Sequence, residues 1–586
     1  MTHAERRPTR AGLWLALLLA TALAVLGVAV RPPIPRDETR YLAVALEMWN
    51  RHDFLVPHLN GGTYSHKPPM LFWLMHAGWK VFGISEWSAR MVGPLCGLGC
   101  VALTWRLARL LWPQRSGEGL YSAAVLMLTT SSGWMIFSSL TMFDAPLTLC
   151  VLAALIGVFQ AGRGHAAAGW VIAGLAMGIG LLTKGPVVFV HTLPVMVLAP
   201  WWSDVNRSTA GHRRRWGAWY AGVVAAVGAG TCIALAWALP AAKAGGAKFS
   251  DEILWGQSAG RMVQSFRHAR PIWFYLPLVP ALLFPWSLWP PSWRALGRLG
   301  GVWHDSGVRF VLAWVVPAFA VFMLVSGKQA HYLLPLLPGA AILLARLIAD
   351  PDHTIEKHDD QRLPAFILLG TAVGVAGFPV VMNGVPGWAA AIEAPPWALD
   401  HHPVATMVIV LAAGVLLGWD ARGVKRRVPL LACVAVLVFG VGQWDVMRSV
   451  RPVVDVAPMG IALRPVEDAG RPIAHLGEYH GQYHFGGRLR KPFDLIWDTR
   501  AATWAREHPD GVIVGAYDTW PLAGAGDPVA MCPSGSHMIV AWTSEQILNG
   551  EAVLNQRGSR TRTLLPTGES PGGGTGPNAG PSADTE

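Results

Sequence analysis

Apolar runs long enough to cross a bilayer recur from residue 12 almost to residue 447, separated by short polar stretches, and then stop. A spanning helix needs about 20 apolar residues. On that measure the pattern predicts helices over 12–30, 88–108, 118–138, 144–161, 166–183, 185–201, 217–240, 271–291, 308–326, 330–349, 363–383, 403–419 and 428–447. The stretch 69–84, PMLFWLMHAGWKVFGI, is shorter and carries His76 and Lys80. Hydropathy alone leaves it open as a span or a surface helix.

Charge decides the matter. If 69–84 does not span, Arg106, Arg109, Arg115, Arg163, Arg207, Arg213, Arg214, Arg215, Arg294, Arg298, Lys357, Arg362, Arg422, Lys425, Arg426 and Arg427 all fall on one side. Short loops rich in Lys and Arg stay in the cytoplasm. Thirteen spanning helices follow, with 69–84 as an amphipathic helix on the outer surface. The outer face then collects the 36–87 loop, Asp144, Lys184, the 241–270 loop, 328–332, the 384–402 loop and everything after 447. The first run follows Arg6, Arg7 and Arg10, is long for a signal core and lacks a small-x-small cleavage site. It reads as an uncleaved first helix.

Beyond 447 the pattern changes. Strand-like runs at 472–476, 511–516 and 537–542, with a helix-like stretch at 499–508, predict a small α/β domain over 448–556. From 557 to 586 the chain is mostly Gly, Ser, Pro and Thr and reads as a disordered tail. The expected fold is a polytopic α-helical membrane domain over 1–447 with an extracytoplasmic α/β domain after it.

Composition agrees. The 586 residues are 52% hydrophobic and only 14% charged, against about 25% charged in soluble domains. A net charge of +11 would point to nucleic acid in a soluble protein. Here the basic residues sit in short loops that set topology, and no nucleic-acid partner is expected. The 29 Trp suit interfacial belts or sugar-stacking platforms. Five of the six Cys lie in apolar runs and Cys532 stands alone, so no disulfide framework or CxxC site is expected.

The chemistry concentrates in 36–69, RDETRYLAVALEMWNRHDFLVPHLNGGTYSHKPP. It is too polar for lipid, and it places an acidic pair and a cation beside a membrane mouth. Asp37 and Glu38 read either as a general base at the bilayer edge or as a solvated cap of a helix over 39–50. Asp144, in SLTMFDAPLTLC, is an acid in apolar surroundings, where such groups tend to be functional; the plainer alternative is an N-cap before Pro146. Lys67 precedes Pro68 and so is held extended. Lys184 precedes a Gly-Pro break that presents it at the membrane surface, either as a ligand group or as a snorkelling lysine. Arg261 lies in DEILWGQSAGRMV, and Lys328, His331 and Tyr332 lie in SGKQAHYLLPLLP. The spacing of His58, His66 and His76 fits no standard zinc pattern.

These segments resemble the GT-C membrane glycosyltransferases, in particular the undecaprenyl-phosphate aminoarabinose transferases and their protein-mannosyltransferase-like relatives. The resemblance is carried by the 36–69 stretch, then FGISEWSARMVGPL, TMFDAPLT, GLLTKGP and SGKQAHYLLPLLP, in family order across roughly the first 350 residues. It implies an inner-membrane enzyme with a periplasmic active site, a sugar donor on undecaprenyl phosphate, and lipid A phosphate as acceptor in the aminoarabinose branch. It implies Asp37 as principal catalytic carboxylate and Asp144 as second acid. Arg40, Lys67, Lys184, Arg261 and Tyr332 match positions around the carrier phosphate. Glu38, His66, Lys328 and His331 are further pocket candidates. Three positions depart from the family pattern: His66 replaces a usual Glu, Gly256-Gln257-Ser258 replaces a usual Glu-His, and GKQAHY replaces a GKLPTY-like run. The Glu-His pair contacts metal in some relatives, so a divalent metal stays open and no other cofactor is implied.

Preorganised cations at a leaving phosphate lower the barrier to its departure. With Asp37 orienting or deprotonating the acceptor, direct displacement with inversion follows. No Gly-rich nucleotide loop is present, which fits a lipid donor. Transfer to a protein or another glycan is an alternative acceptor reading. A lipid-linked-sugar transporter and a non-catalytic polyprenyl binder are the alternatives of other classes. A transporter, however, places polar sites near the midplane in repeated broken helices, and no repeat is evident.

Overall fold

A computed structural model describes residues 10–115, 119–203, 216–254, 270–349, 357–385, 387–388, 396–419, 421–517, 527–535 and 537–550. Helix α1 (Ala11–Val30) is followed by α2 (Glu38–Arg51), a short β1–β2 hairpin (His58–Leu59, Gly62–Thr63), α3 (Met70–Phe82), α4 (Glu86–Arg90) and α5 (Val92–Leu111). Next come α6 (Leu120–Thr130), α7 (Ser132–Phe137), α8 (Asp144–Gly162), α9 (Ala166–Lys184), α10 (Val187–Val197), α11 (Ala199–Trp202) and α12 (Trp216–Asp251). Among the described residues, nine helical stretches are long and apolar enough to cross a membrane. Four shorter apolar helices, Leu120–Thr130, Val187–Val197, Ile272–Leu282 and Pro403–Gly418, occupy four more of the predicted spans.

Helix α3 has 13 residues, about 20 Å at 1.5 Å per residue, and is not among the candidate spans. It packs on α2 and α4 instead. Two predicted spans are broken. The 118–138 run divides at Ser131, whose extended backbone separates α6 from α7; the neighbouring Ser132 N–H bonds to Phe284 O at 2.7 Å. The 271–291 run is broken before Pro285 and again before Pro290 into short helical pieces, because a proline lacks the N–H that would continue the preceding helix.

The bundle is tightest where small residues meet. A Cβ on Gly169 would lie 2.5 Å from the Gly157 carbonyl oxygen, and one on Gly157 would lie 2.6 Å from that of Gly169. With Ala161 and Ala173 one turn on, α8 and α9 touch backbone to backbone, the small-residue packing of membrane helices. This contact fixes the relative height of Asp144, which opens α8, and Lys184, which closes α9.

Basic residues from three loops predicted to share a side do meet at one end. Asp360 receives the Arg294 guanidinium and lies 3.6 Å from Arg427, and Arg427 Nη1 donates to Lys357 O at 2.7 Å.

At the other end, the described residues of 457–549 include a five-stranded sheet of order β4-β3-β5-β7-β6. Its strands are β3 (Ile473–Leu476), β4 (Asp494–Ile496), β5 (Val512–Tyr517), β6 (Ala530–Ser534) and β7 (His537–Thr543). β3 runs parallel to β4 and β5, and β7 runs antiparallel to β5 and β6. Alternate residues serve two cores. Ile473, Val512, Val514 and Ile539 pack with the helix Ala457–Asp468, whereas Ala474, Ile513, Val540 and Trp542 pack with the helix Asp498–Glu507.

This α/β unit docks on the polar segment after α1. Asn60 donates to Phe493 O at 3.0 Å and accepts from Phe493 N–H at 2.8 Å. Phe485 stacks on Trp79 with centroids 5.9 Å apart. Gly481 is required there, since a Cβ would meet Ala43 and Leu59 at 2.7 Å. The segment 36–87 is therefore held between the helical bundle and the sheet unit.

Candidate functional site

The approach to α2 is strained. Arg36 has φ +74°, a conformation uncommon outside glycine, and its N–H donates to Thr39 Oγ1 at 3.1 Å. Asp37 then occupies the N-cap position, yet its carboxylate caps nothing. It accepts from Arg40 Nη2 at 2.8 Å, with 48% of the side chain exposed. The Arg40 guanidinium lies 5.5 Å from the Tyr41 ring centroid. Burial works against its charge, but Tyr64, Tyr41 and Asp37 outweigh that and raise its pKa above the ordinary value.

Glu38 engages a different set of groups. It is fully buried and accepts from the Arg31 guanidinium, from Ile34 N–H at 2.9 Å and from Thr141 N–H at 2.7 Å. Burial pushes its pKa up, but Arg31, Arg90 and the Thr141 amide together hold it below the ordinary value. Expected as a pocket residue, Glu38 is a clamp joining the end of α1, the start of α2 and the turn before α8.

A second constellation forms where α8 begins and α9 ends. Lys184 is the last residue of α9; Gly185, at φ +74°, and Pro186 start the return into α10. That break delivers the ammonium group to Asp144, with Nζ to Oδ1 at 2.5 Å and the Asp144 side chain 2% exposed. Asp144 is thus an ion-pair partner across two helices rather than a cap, and Lys184 does not snorkel to water. Its Nζ also lies 4.7 Å from the Tyr332 ring centroid. The second carboxylate oxygen, Oδ2, faces His331 Nε2 at 4.0 Å. His331 is presented by the 3-10 turn Ala330–Leu336, with Phe137 of α7 against its ring at 5.9 Å.

Lys67 completes the group. It sits in a non-helical bend before Pro68, with Nζ 5.5 Å from the Phe143 ring centroid. Its charge acts on Asp144 and His331, and that of Asp37 also reaches His331. His66, beside it, has its ring 5.2 Å from Tyr64. The fold thus gathers Asp37, Arg40, Lys67, Asp144, Lys184, His331 and Tyr332 from widely separated parts of the sequence.

Two candidates stand apart. Lys328 is buried and donates to Arg270 O at 3.1 Å and Val325 O at 2.5 Å. It satisfies the Val325 carbonyl at the end of the helix Ser306–Leu324, as lysines near helix C-termini do, and ties it to the carbonyl of Arg270. Arg261 falls in 255–269, outside the described residues. Among the described residues, no three His, Cys, Asp or Glu side chains are grouped to hold a metal. His76, a second-turn residue of α3, instead pairs its Nε2 with Ala45 O at 2.8 Å.

One neighbour escaped the sequence reading. His191 of α10 is fully buried, neither ring nitrogen has a hydrogen-bond partner among the described residues, and the charges of Lys184 and Asp144 act on it. Its only signal is a polar residue seven positions after Lys184 inside VVFVHTLPVMV.

Residues 66–237 match the family model described as dolichyl-phosphate-mannose-protein mannosyltransferase. A relative from Erwinia tasmaniensis, an undecaprenyl phosphate-alpha-4-amino-4-deoxy-L-arabinose arabinosyl transferase, is 30% identical over 445 residues, 73% of this chain and 71% of that protein. A relative of the same description from Pseudomonas aeruginosa is 29% identical over 420 residues, 69% of each chain. The crystal structure of ArnT from Cupriavidus metallidurans bound to undecaprenyl phosphate superposes with a TM-score of 0.68 at 20% identity, covering 91% of this chain and 98% of that one. The shared fold is that of a polytopic helical membrane protein of the GT-C class.

Proposed function

Because this chain belongs to the family of undecaprenyl phosphate-aminoarabinose arabinosyl transferases, we propose that it moves 4-amino-4-deoxy-L-arabinose, or a closely related sugar, from undecaprenyl phosphate to a phosphate of lipid A. It is a membrane glycosyltransferase that uses a polyprenyl-phosphate sugar donor. The reaction takes place on the periplasmic face of the bacterial inner membrane, opposite the basic loops.

The observation that carries this reading is the convergence of Lys67, Lys184 and Arg40 with two carboxylates at one end of the bundle. A departing lipid phosphate needs its growing charge neutralised by groups already in place. Lys67 and Lys184, whose charges both act on Asp144, serve that purpose, with Tyr332 beside Lys184. Asp37, half exposed at the start of α2, faces the acceptor side, and Arg40 fixes its orientation. The acceptor oxygen attacks the anomeric carbon as the bond to the carrier phosphate breaks. Configuration inverts, and Asp37 takes the acceptor's proton where it has one. The α/β unit holds the 36–87 segment through Asn60 and Phe485, and so holds Asp37 and Lys67 in register with the bundle.

The test is donor-dependent transfer by purified protein. Lys67→Ala should weaken donor use while Asp37→Asn should abolish transfer with donor binding retained. Normal turnover in both variants would overturn this reading. Transfer to a protein or a different glycan, with lipid A untouched, would keep the enzyme and replace the acceptor.

A further inference from the structure

Asp144 divides its two oxygens between two partners. Oδ1 holds Lys184 at 2.5 Å, while Oδ2 looks at His331 Nε2 from 4.0 Å, beyond hydrogen-bond distance. The His331 side chain is 12% exposed and that of Asp144 is 2% exposed. The charged and titratable groups facing His331 are Asp144 at the start of α8, Lys184 at the end of α9, and Lys67 and Asp37 of the outer segment. Tyr332 adjoins it on its own turn, with ring centroids 4.9 Å apart. In this state the lysine balances Asp144, and a proton on His331 has nothing left to neutralise.

A lipid phosphate changes that balance, since the single charge of Lys184 cannot neutralise both Asp144 and a new anion. A carboxylate as buried as Asp144 is costly to leave without a counter-ion. We infer that His331 takes up a proton from solvent as the donor phosphate enters and replaces Lys184 as the counter-ion of Asp144, freeing the lysine for the phosphate. This rests on the proposed use of a polyprenyl-phosphate donor. Charge is conserved: one negative charge arrives on the phosphodiester and one proton arrives on the imidazole. Closing the His331–Asp144 gap takes about an ångström, within the reach of a side-chain rotation. His331 is a positioning residue here, acting on the phosphate through Asp144 and Lys184. Donor uptake becomes proton-coupled, with tighter capture at lower pH.

The experiment uses the full chain in detergent micelles and the methyl ester of undecaprenyl phosphate, a phosphodiester with no group titrating near neutrality. Calorimetry in buffers of different ionisation enthalpy counts the protons bound with the lipid. The wild type should take up about one proton, and its Kd should weaken up to about tenfold per pH unit on the alkaline side. His331→Gln should bind more weakly at low pH, with proton uptake near zero and a flat Kd. The wild-type measurement stands alone if the variant folds poorly. Wild-type binding with no proton uptake, or equal uptake in His331→Gln, overturns the inference while leaving the transferase reading intact. Failure of the wild type to bind either the methyl ester or undecaprenyl phosphate overturns both.

Discussion

Removing Lys184 while leaving Asp144 in place is the sharpest perturbation of the site. In Lys184→Met the chain keeps its helical packing, but a carboxylate with 2% exposure loses a partner at 2.5 Å. Breaking a buried ion pair from one side costs about 3–5 kcal/mol, because the remaining charge is uncompensated. His331, 4.0 Å from the other oxygen, offsets part of this, so the lower end of that range, about 3 kcal/mol, is expected. The double variant Asp144→Asn/Lys184→Met removes both charges and should recover most of the loss. That implies a coupling of roughly 2 kcal/mol between the two sites. Equilibrium unfolding in mixed micelles measures the stabilities, and transfer from a lipid-linked donor measures the chemistry. Stability should return in the double variant while transfer stays down by about 100-fold or more, as expected when a preorganised charge at a leaving group is lost. A single variant as stable as wild type would refute the electrostatic argument. A double variant with near-normal transfer would show that the pair only holds helices together.

Further outcomes follow from the surrounding geometry. Asp37→Asn should lower transfer by about 100-fold or more without loss of expression or membrane insertion; turnover within a few-fold of wild type would argue against a base there. Glu38→Gln should destabilise by about 3–5 kcal/mol, because it leaves Arg31 buried without its carboxylate. The Glu38 pKa is depressed in the fold, so its contribution is present above the unfolded-state value of about 4.3 and is lost as pH falls through the folded one. The gap between wild type and Glu38→Gln in unfolding experiments should therefore narrow on acidification below about pH 4; a gap that widens there would reverse the sign of the argument. Asn60→Ala removes two hydrogen bonds to Phe493 and should loosen docking by about 1–3 kcal/mol. Amide exchange should quicken in 58–63 and 490–496 but not in α8 or α9, and unchanged exchange at those two segments would count against the clamp.

Much of this arrangement was legible in the sequence for a physical reason. A bilayer-length apolar run can do little but form a helix, so α1, α8, α9 and the helix Ser306–Leu324 lie where the hydropathy put them. The short reach of α3 and the gathering of basic loops around Asp360 follow from the same reasoning. Breaks were harder to see. The division at Ser131 depends on a bond to Phe284, and the fragments of 271–291 depend on several prolines acting together. β4 and β6 are only three and five residues long and carry polar positions, too little pattern to stand out.

At the site, the family motifs named the residues but not their partners. Glu38 beside Asp37 looked like half of an acidic pair, yet a fixed turn separates their environments. Lys328 reads like another phosphate ligand until the carbonyls of Arg270 and Val325 are seen to hold it. His191 gave almost no signal, since an isolated histidine in an apolar helix reveals nothing of the Asp144–Lys184 pair beside it.

The central claim is transfer of a sugar from a polyprenyl phosphate to lipid A, dependent on Asp37. Mass spectrometry of lipid A and envelope glycans from cells with the protein, without it, and with Asp37→Asn tests it most directly. The account predicts a pentosamine-sized mass on lipid A phosphate in the wild type, absent from both the deletion and the variant. Identical lipid A and glycan profiles in all three strains, with the donor lipid present, would contradict it.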